Sequence, residues 1–114
     1  MAQFIFVEWL ALWLVQAVSI EFDWDEGNIH KSLIKHGVTD EEVEEIFMTG
    51  LAVAIGVQVA PVVEEERSAV VGPTSDGKLI TVVFTLRDGK IRPISSRSSN
   101  RKEKKLYETV RKIS

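Results

Sequence analysis

The apolar positions fall into three regimes along the chain. Sixteen of the first twenty residues are apolar, broken only by Gln3, Glu8, Gln16 and Ser19. Between Phe22 and Gly50 the apolar positions recur at helical spacing, and from Leu51 onward the period drops to two. Phe22–Trp24 reads as a short strand. Asp25 then suits the N-cap of a helix running through His36, with Ile29, Leu33 and Ile34 as its stripe and Gly37 as its stop. Thr39 and Glu42 form a capping box for a second helix, Val38 can staple onto Val43, and Val43, Ile46 and Phe47 face inward. Residues 51–61 are β-branched and apolar, with a bend expected at Gly56. Glu64–Glu66 reads as an exposed loop. Arg67–Gly72 and Leu79–Leu86 read as strands flanking a turn at Asp76-Gly77. Asp88-Gly89 is a hairpin signal, and Ile91–Arg97 is the returning strand. Asn100 with Glu103 opens a basic helix to the C-terminus. The order predicts an α+β fold: a short N-terminal strand, two helices, an antiparallel sheet and a C-terminal helix.

A length of 114 residues accommodates one domain. Residues 1–20 are expected to be an apolar extension, in helical form, outside a functional domain of residues 21–114. Their length could span a bilayer. Glu8 and the absence of any Lys or Arg before Lys31 argue against that, so no membrane partner is expected. There is no cysteine, which excludes disulfides, thiolate metal sites and a cysteine nucleophile, and favours a cytoplasmic protein.

Charge changes the picture more than composition does. Residues 1–66 carry thirteen carboxylates against Lys31 and Lys35, whereas residues 67–114 carry twelve Lys and Arg against four carboxylates. Such polarity suits a polyanion-binding half, or two halves that neutralise each other. His30 and His36 are six residues apart, about 240° around a helix, so they do not share a face as metal ligands would. No HExxH, GxSxG or phosphate-binding loop occurs. No cofactor is expected. What remains is a distributed basic set: Lys35 and His36 at a helix end, then Arg67, Arg87, Arg92, Arg97, Arg101 and Lys102. Strand alternation puts Ile80, Val82 and Phe84 on one face and Thr81, Val83, Thr85 and Arg87 on the other. The same count separates Arg92 from Arg97. Pro93 between them favours a bulge that would reunite them.

Trp24-Asp25, Asn28 and Lys35-His36-Gly37-Val38, followed by Val82-Val83-Phe84-Thr85-x-Arg87 and Ile91-Arg92-x-Ile94-Ser95-x-Arg97, resemble the BrnT family of type II toxins over about residues 21–110. The resemblance implies a RelE-like fold and a ribonuclease that arrests translation. It also implies an inhibitory BrnA-like antitoxin whose ribbon-helix-helix domain binds DNA, so that DNA is met only through the partner. The chain departs from the family pattern at Asp40, Met48, Pro93, Ser96 and Ser98, where Pro93 and Ser96 replace the commoner Ile and Ala. Under this resemblance a metal-independent endoribonuclease would use Lys35, His36, Arg67, Arg92 and Arg97 as catalytic residues. His36 would serve as general acid or base, and Arg87, Arg101 and Lys102 would bind RNA. An acidic antitoxin segment is expected over residues 67–72, residues 91–97 and the C-terminal helix. A non-catalytic binding module or corepressor, whether an inactive toxin homologue or one tethered by the leader, is the alternative that the residues leave open.

Overall fold

The structure, a computed structural model, describes residues 3–16, 20–60 and 65–113. Pro61 and Glu64, expected to end a strand and open a loop, lie outside them. Five strands form one antiparallel sheet in sequential order: β1 (Gln3–Ile5), β2 (Val53–Ala60), β3 (Ser68–Pro73), β4 (Leu79–Arg87) and β5 (Lys90–Ser98). The helices are α1 (Glu8–Gln16), α2 (Lys31–His36), α3 (Asp40–Met48) and α4 (Arg101–Ile113). The α+β order read from the sequence is therefore present, with α1 and α3 on one face of the sheet and α4 on the other.

The main core forms where α1 and α3 meet the sheet. Ile80, Val82 and Phe84 of β4 turn inward to meet Val43, Ile46 and Phe47 of α3, with Leu10 of α1 fully buried among them. Phe84 is the aromatic centre. It meets Phe47 edge-on at 5.2 Å between ring centroids and stacks with Trp13 at 6.5 Å. Gly72 leaves room for α3, because a Cβ there would overlap the Ile46 side chain. The capping box at Thr39 is complete: Glu42 N–H donates to Thr39 Oγ1 at 3.1 Å, and Thr39 N–H donates to Glu42 Oε1 at 3.0 Å. The hairpin between β4 and β5 turns at Asp88 and Gly89, both at positive φ, as a tight two-residue connection requires.

Three N-terminal expectations differ from the structure. The leader was expected as an extension, yet β1 pairs with β2 and α1 buries Leu10 against the sheet. The pairing is intimate: any side chain at Gly56 (φ 136°) would collide with the Ile5 carbonyl. The helix expected from Asp25 is only the six residues of α2, preceded by turns. The Asp25 side chain accepts from Gly27 N–H at 2.7 Å, which closes a local turn, and His30 adopts a left-handed conformation (φ 61°) that no continuous helix can contain. Phe22 makes a single parallel bridge to Ile91 rather than a strand, which ties residues 21–23 along the outer edge of β5.

Two stability outcomes follow from this packing. Leu10→Ala should lower the unfolding free energy by about 2–5 kcal/mol in urea denaturation. A change near zero would mean that α1 is not docked. Ser96 is buried on the core side of β5 with a hydroxyl that has no hydrogen-bond partner. Ser96→Ala removes that stranded group and should raise stability by about 1–2 kcal/mol, measured the same way.

Candidate nucleic-acid interface

The arginines of β5 are placed by an irregularity in its pairing with β4. Phe84 pairs with Pro93 and Val83 with Ser95, so Ile94 is the extra residue. Pro93 cannot donate a ladder hydrogen bond, and the bulge falls beside it. The shift reverses the alternation. Arg92 pairs with Thr85 and Arg97 with Thr81, so both arginines lie on the α4 face of the sheet. Arg87, two residues after Thr85, shares that face. Arg67, one residue before β3, continues the same side as Ala69 and Val71, and its carbonyl accepts from Gln58 N–H at 2.7 Å. The phase change that Pro93 suggested is thus present, and four arginines share one face.

They are not equally available. Arg92 is nearly buried and donates to both Asp25 oxygens, each at 2.9 Å, with Asp23 at 3.6 Å. Arg97 grips Glu103 of α4 with two donors at 2.7 and 2.9 Å, and Arg87 holds Glu65 at 3.1 and 3.2 Å. A guanidinium has five N–H donors, so each pair leaves others unused. Arg67 is half-buried, and Arg101 and Lys102 are exposed on the first turn of α4. None of these three forms an ion pair among the described residues.

Asp25 and Glu103 are the carboxylates that fix this face. Arg92, then the Gly27 amide and more weakly Arg87, hold the Asp25 carboxyl below its ordinary range. Glu103 also accepts from Thr81 Oγ1 at 3.0 Å and from Asn100 N–H at 2.9 Å, and donates its own N–H to Asn100 Oδ1 at 2.8 Å. Burial raises its pKa, but Arg97 and the Asn100 amide outweigh that and hold it low. One carboxylate therefore caps α4, anchors it to β4 and orients Arg97.

Lys35 and His36 occupy the last turn of α2, both exposed. The helix packs against the edge of β5, where Ser96 N–H donates to Ser32 Oγ at 2.9 Å. No hydrogen bond or ion pair among the described residues links Lys35 or His36 to the arginines. A second histidine has a defined geometry that sequence reading passed over. His30 Nδ1 lies 2.7 Å from Asp40 Oδ2, and the His30 backbone N–H donates to Asp40 Oδ1 at 3.1 Å. Asp40 was singled out as a departure from the family pattern, but its pairing with a histidine ten residues back was not readable. Asp25, Asp23 and Glu103 were also missed as arginine partners, although the Asn100–Glu103 capping spacing had marked Glu103. Among the described residues no three His, Asp or Glu side chains converge as metal ligands would, and no helix is long and apolar enough to cross a membrane.

One face of the sheet thus gathers Arg87 of β4, Arg92 and Arg97 of β5 and Arg67 just before β3. Residues 24–103 match the family described as ribonuclease toxin, BrnT, of type II toxin-antitoxin system, and the chain belongs to that family. Compared with curated proteins, the sequence matches none. The family assignment carries toxin function and an antitoxin partner.

The low pKa of Glu103 sets a sign for pH dependence. Its contribution is present above the ordinary glutamate value of 4.5 and is lost as pH falls through the lower folded value. Asp25, Glu42 and Asp76 are shifted in the same direction. Thermal melts should therefore drop steeply below about pH 4.5. Glu103→Gln should melt lower at pH 7 and show a shallower acid limb. An acid limb identical to wild type would remove Glu103 from this role.

Proposed function

We propose that this chain is a metal-independent endoribonuclease that arrests translation by cutting RNA on the arginine-bearing face of its sheet. The observation that carries the reading is the bulge opposite Phe84, which brings Arg92 and Arg97 to the side already bearing Arg67 and Arg87. RNA carries its own nucleophile. Its 2′-oxygen forms a bond to the adjacent phosphorus as the bond to the 5′-oxygen breaks, leaving a 2′,3′-cyclic phosphate and a free 5′-hydroxyl. The protein needs a base for the 2′-proton, an acid for the leaving oxygen and cations for the charge that builds on phosphorus. His36 takes the proton role, with Lys35 sharing it or neutralising phosphate. Arg67 meets the phosphate directly. Arg92 and Arg97 present the N–H groups their carboxylates leave free, in fixed orientations. Arg87, Arg101 and Lys102 hold flanking phosphates.

In the same reading the functional domain is residues 21–114, with the leader as a structural brace, and the protein acts in the cytoplasm. The antitoxin is BrnA-like, with a ribbon-helix-helix domain, and DNA is met only through it. The binding-module alternative retains one supporting observation: Arg92 and Arg97 are both engaged by carboxylates.

The test is RNA cleavage by purified antitoxin-free protein in EDTA. Wild type should cut. His36→Ala should lose about 10²–10⁴-fold, Arg67→Ala should be strongly impaired, and RNA affinity should fall steeply with added salt. No cleavage by folded wild type would leave the binding module as the better account. Loss confined to His30→Ala would move the proton chemistry to the His30–Asp40 pair.

A further inference from the structure

α4 carries two distinct stripes. Glu103, Tyr107 and Val110 are its less exposed positions and turn toward the sheet. Lys102, Lys105, Leu106 and Thr109 follow the i, i+3, i+4, i+7 spacing of a second face. That second face lines a groove of about 810 Å³, together with Gln3 and Phe4 of β1, Ile55 of β2, Asn100 and Glu103. The groove thus runs between the helix and the outer strand of the sheet, and no arginine lines it. Its apolar lining comes from Phe4, Ile55 and Leu106, and Leu106 keeps 40% of its surface exposed. Neither Lys102 nor Lys105 forms an ion pair among the described residues.

We propose that this groove seats an acidic, amphipathic segment of the antitoxin. The proposal rests on the family's antitoxin partnership and narrows the contact expected over residues 67–72, residues 91–97 and the C-terminal helix to the groove between α4 and β1. Charge and shape select the occupant. An apolar floor beside two unpaired ammonium groups fits a peptide that alternates aliphatic side chains with carboxylates. RNA fits it less well, because Phe4, Ile55 and Leu106 give it an apolar floor and none of the forked guanidiniums that suit phosphate lines it. Glu103, the one carboxylate in the lining, is neutralised by Arg97 and does not repel an acidic guest. The acidic first turn of α3 (Asp40, Glu41, Glu42) repels the same segment and restricts it to the α4 side. Bound there, the segment would hold α4 and, through Glu103, the orientation of Arg97.

The experiment uses the full chain and the protein encoded by the adjoining reading frame, with affinity measured by calorimetry at two salt concentrations. Leu106→Glu and Lys105→Glu should each weaken binding at least tenfold, and Lys105→Glu should also reduce its salt dependence. Glu41→Lys on α3 should change it less than twofold. Circular dichroism melts confirm folding, and Lys105→Glu, at an exposed position, carries the test if Leu106→Glu fails to fold. If the complex forms and both groove variants bind like wild type, the groove is not the seat, and the family reading stands. If wild type forms no complex, both readings fall. If the groove variants lose affinity for a single-stranded RNA 20-mer but keep it for the partner protein, the groove belongs to RNA and the proposal is overturned.

Discussion

The bulge in the β4–β5 pairing is the constraint on which the functional face depends. Without the extra residue at Ile94, strict alternation would send Arg97 into the space filled by α1, α3 and Phe84, where an unpaired guanidinium could not be accommodated. With it, Arg97 reaches Glu103, Glu103 reaches Thr81 and the cap of α4, and the C-terminal helix acquires its position. The same step leaves Ser96 on the apolar side with an unmet hydroxyl. A single inserted residue thus settles the location of two arginines, one helix and one energetic cost.

Carboxylates organise this basic half more than its net charge suggests. Arg92 ties β5 to the segment at Asp23 and Asp25, sixty-seven residues away from Asp25 in sequence. Asn28 reinforces the same junction by donating to the Asp23 carbonyl at 2.9 Å and the Pro93 carbonyl at 3.0 Å. The acidic and basic halves read from the sequence therefore meet at specific forks as well as acting as bulk charge. Arg87 and Arg92 neutralise carboxylates of the acidic half, whereas Arg67, Arg101 and Lys102 form no ion pair among the described residues.

Much of the architecture was legible because local chemistry specifies it. The capping pairs at Thr39–Glu42 and Asn100–Glu103, the turn at Asp88-Gly89 and the alternation of β4 each involve residues within a few positions of one another, and all are present. The misses share a different origin. Nothing near Asp25 in sequence announces that Arg92 will claim it, and an apolar leader gives no sign that Gly56 has been left bare to receive it. The left-handed turn at His30 cuts short a helix that the spacing of Ile29, Leu33 and Ile34 had suggested, and those three side chains remain exposed. The arginine face was readable as a conditional, since Pro93 signals a bulge without fixing where the extra residue falls.

The docking of the leader has a consequence for synthesis. β3, β4 and β5 form a meander of neighbouring strands that can assemble as they emerge, whereas Leu10 and Trp13 must wait for β4, some seventy residues later, to find Phe84. At about 5–20 residues per second, that is a delay on the order of several seconds during which the apolar face of α1 is without its binding face. The order of translation runs opposite to the order in which the contacts become available. α1 is made well before the strand it docks on, and the nascent protein depends on whatever shields Leu10 and Trp13 in the interval.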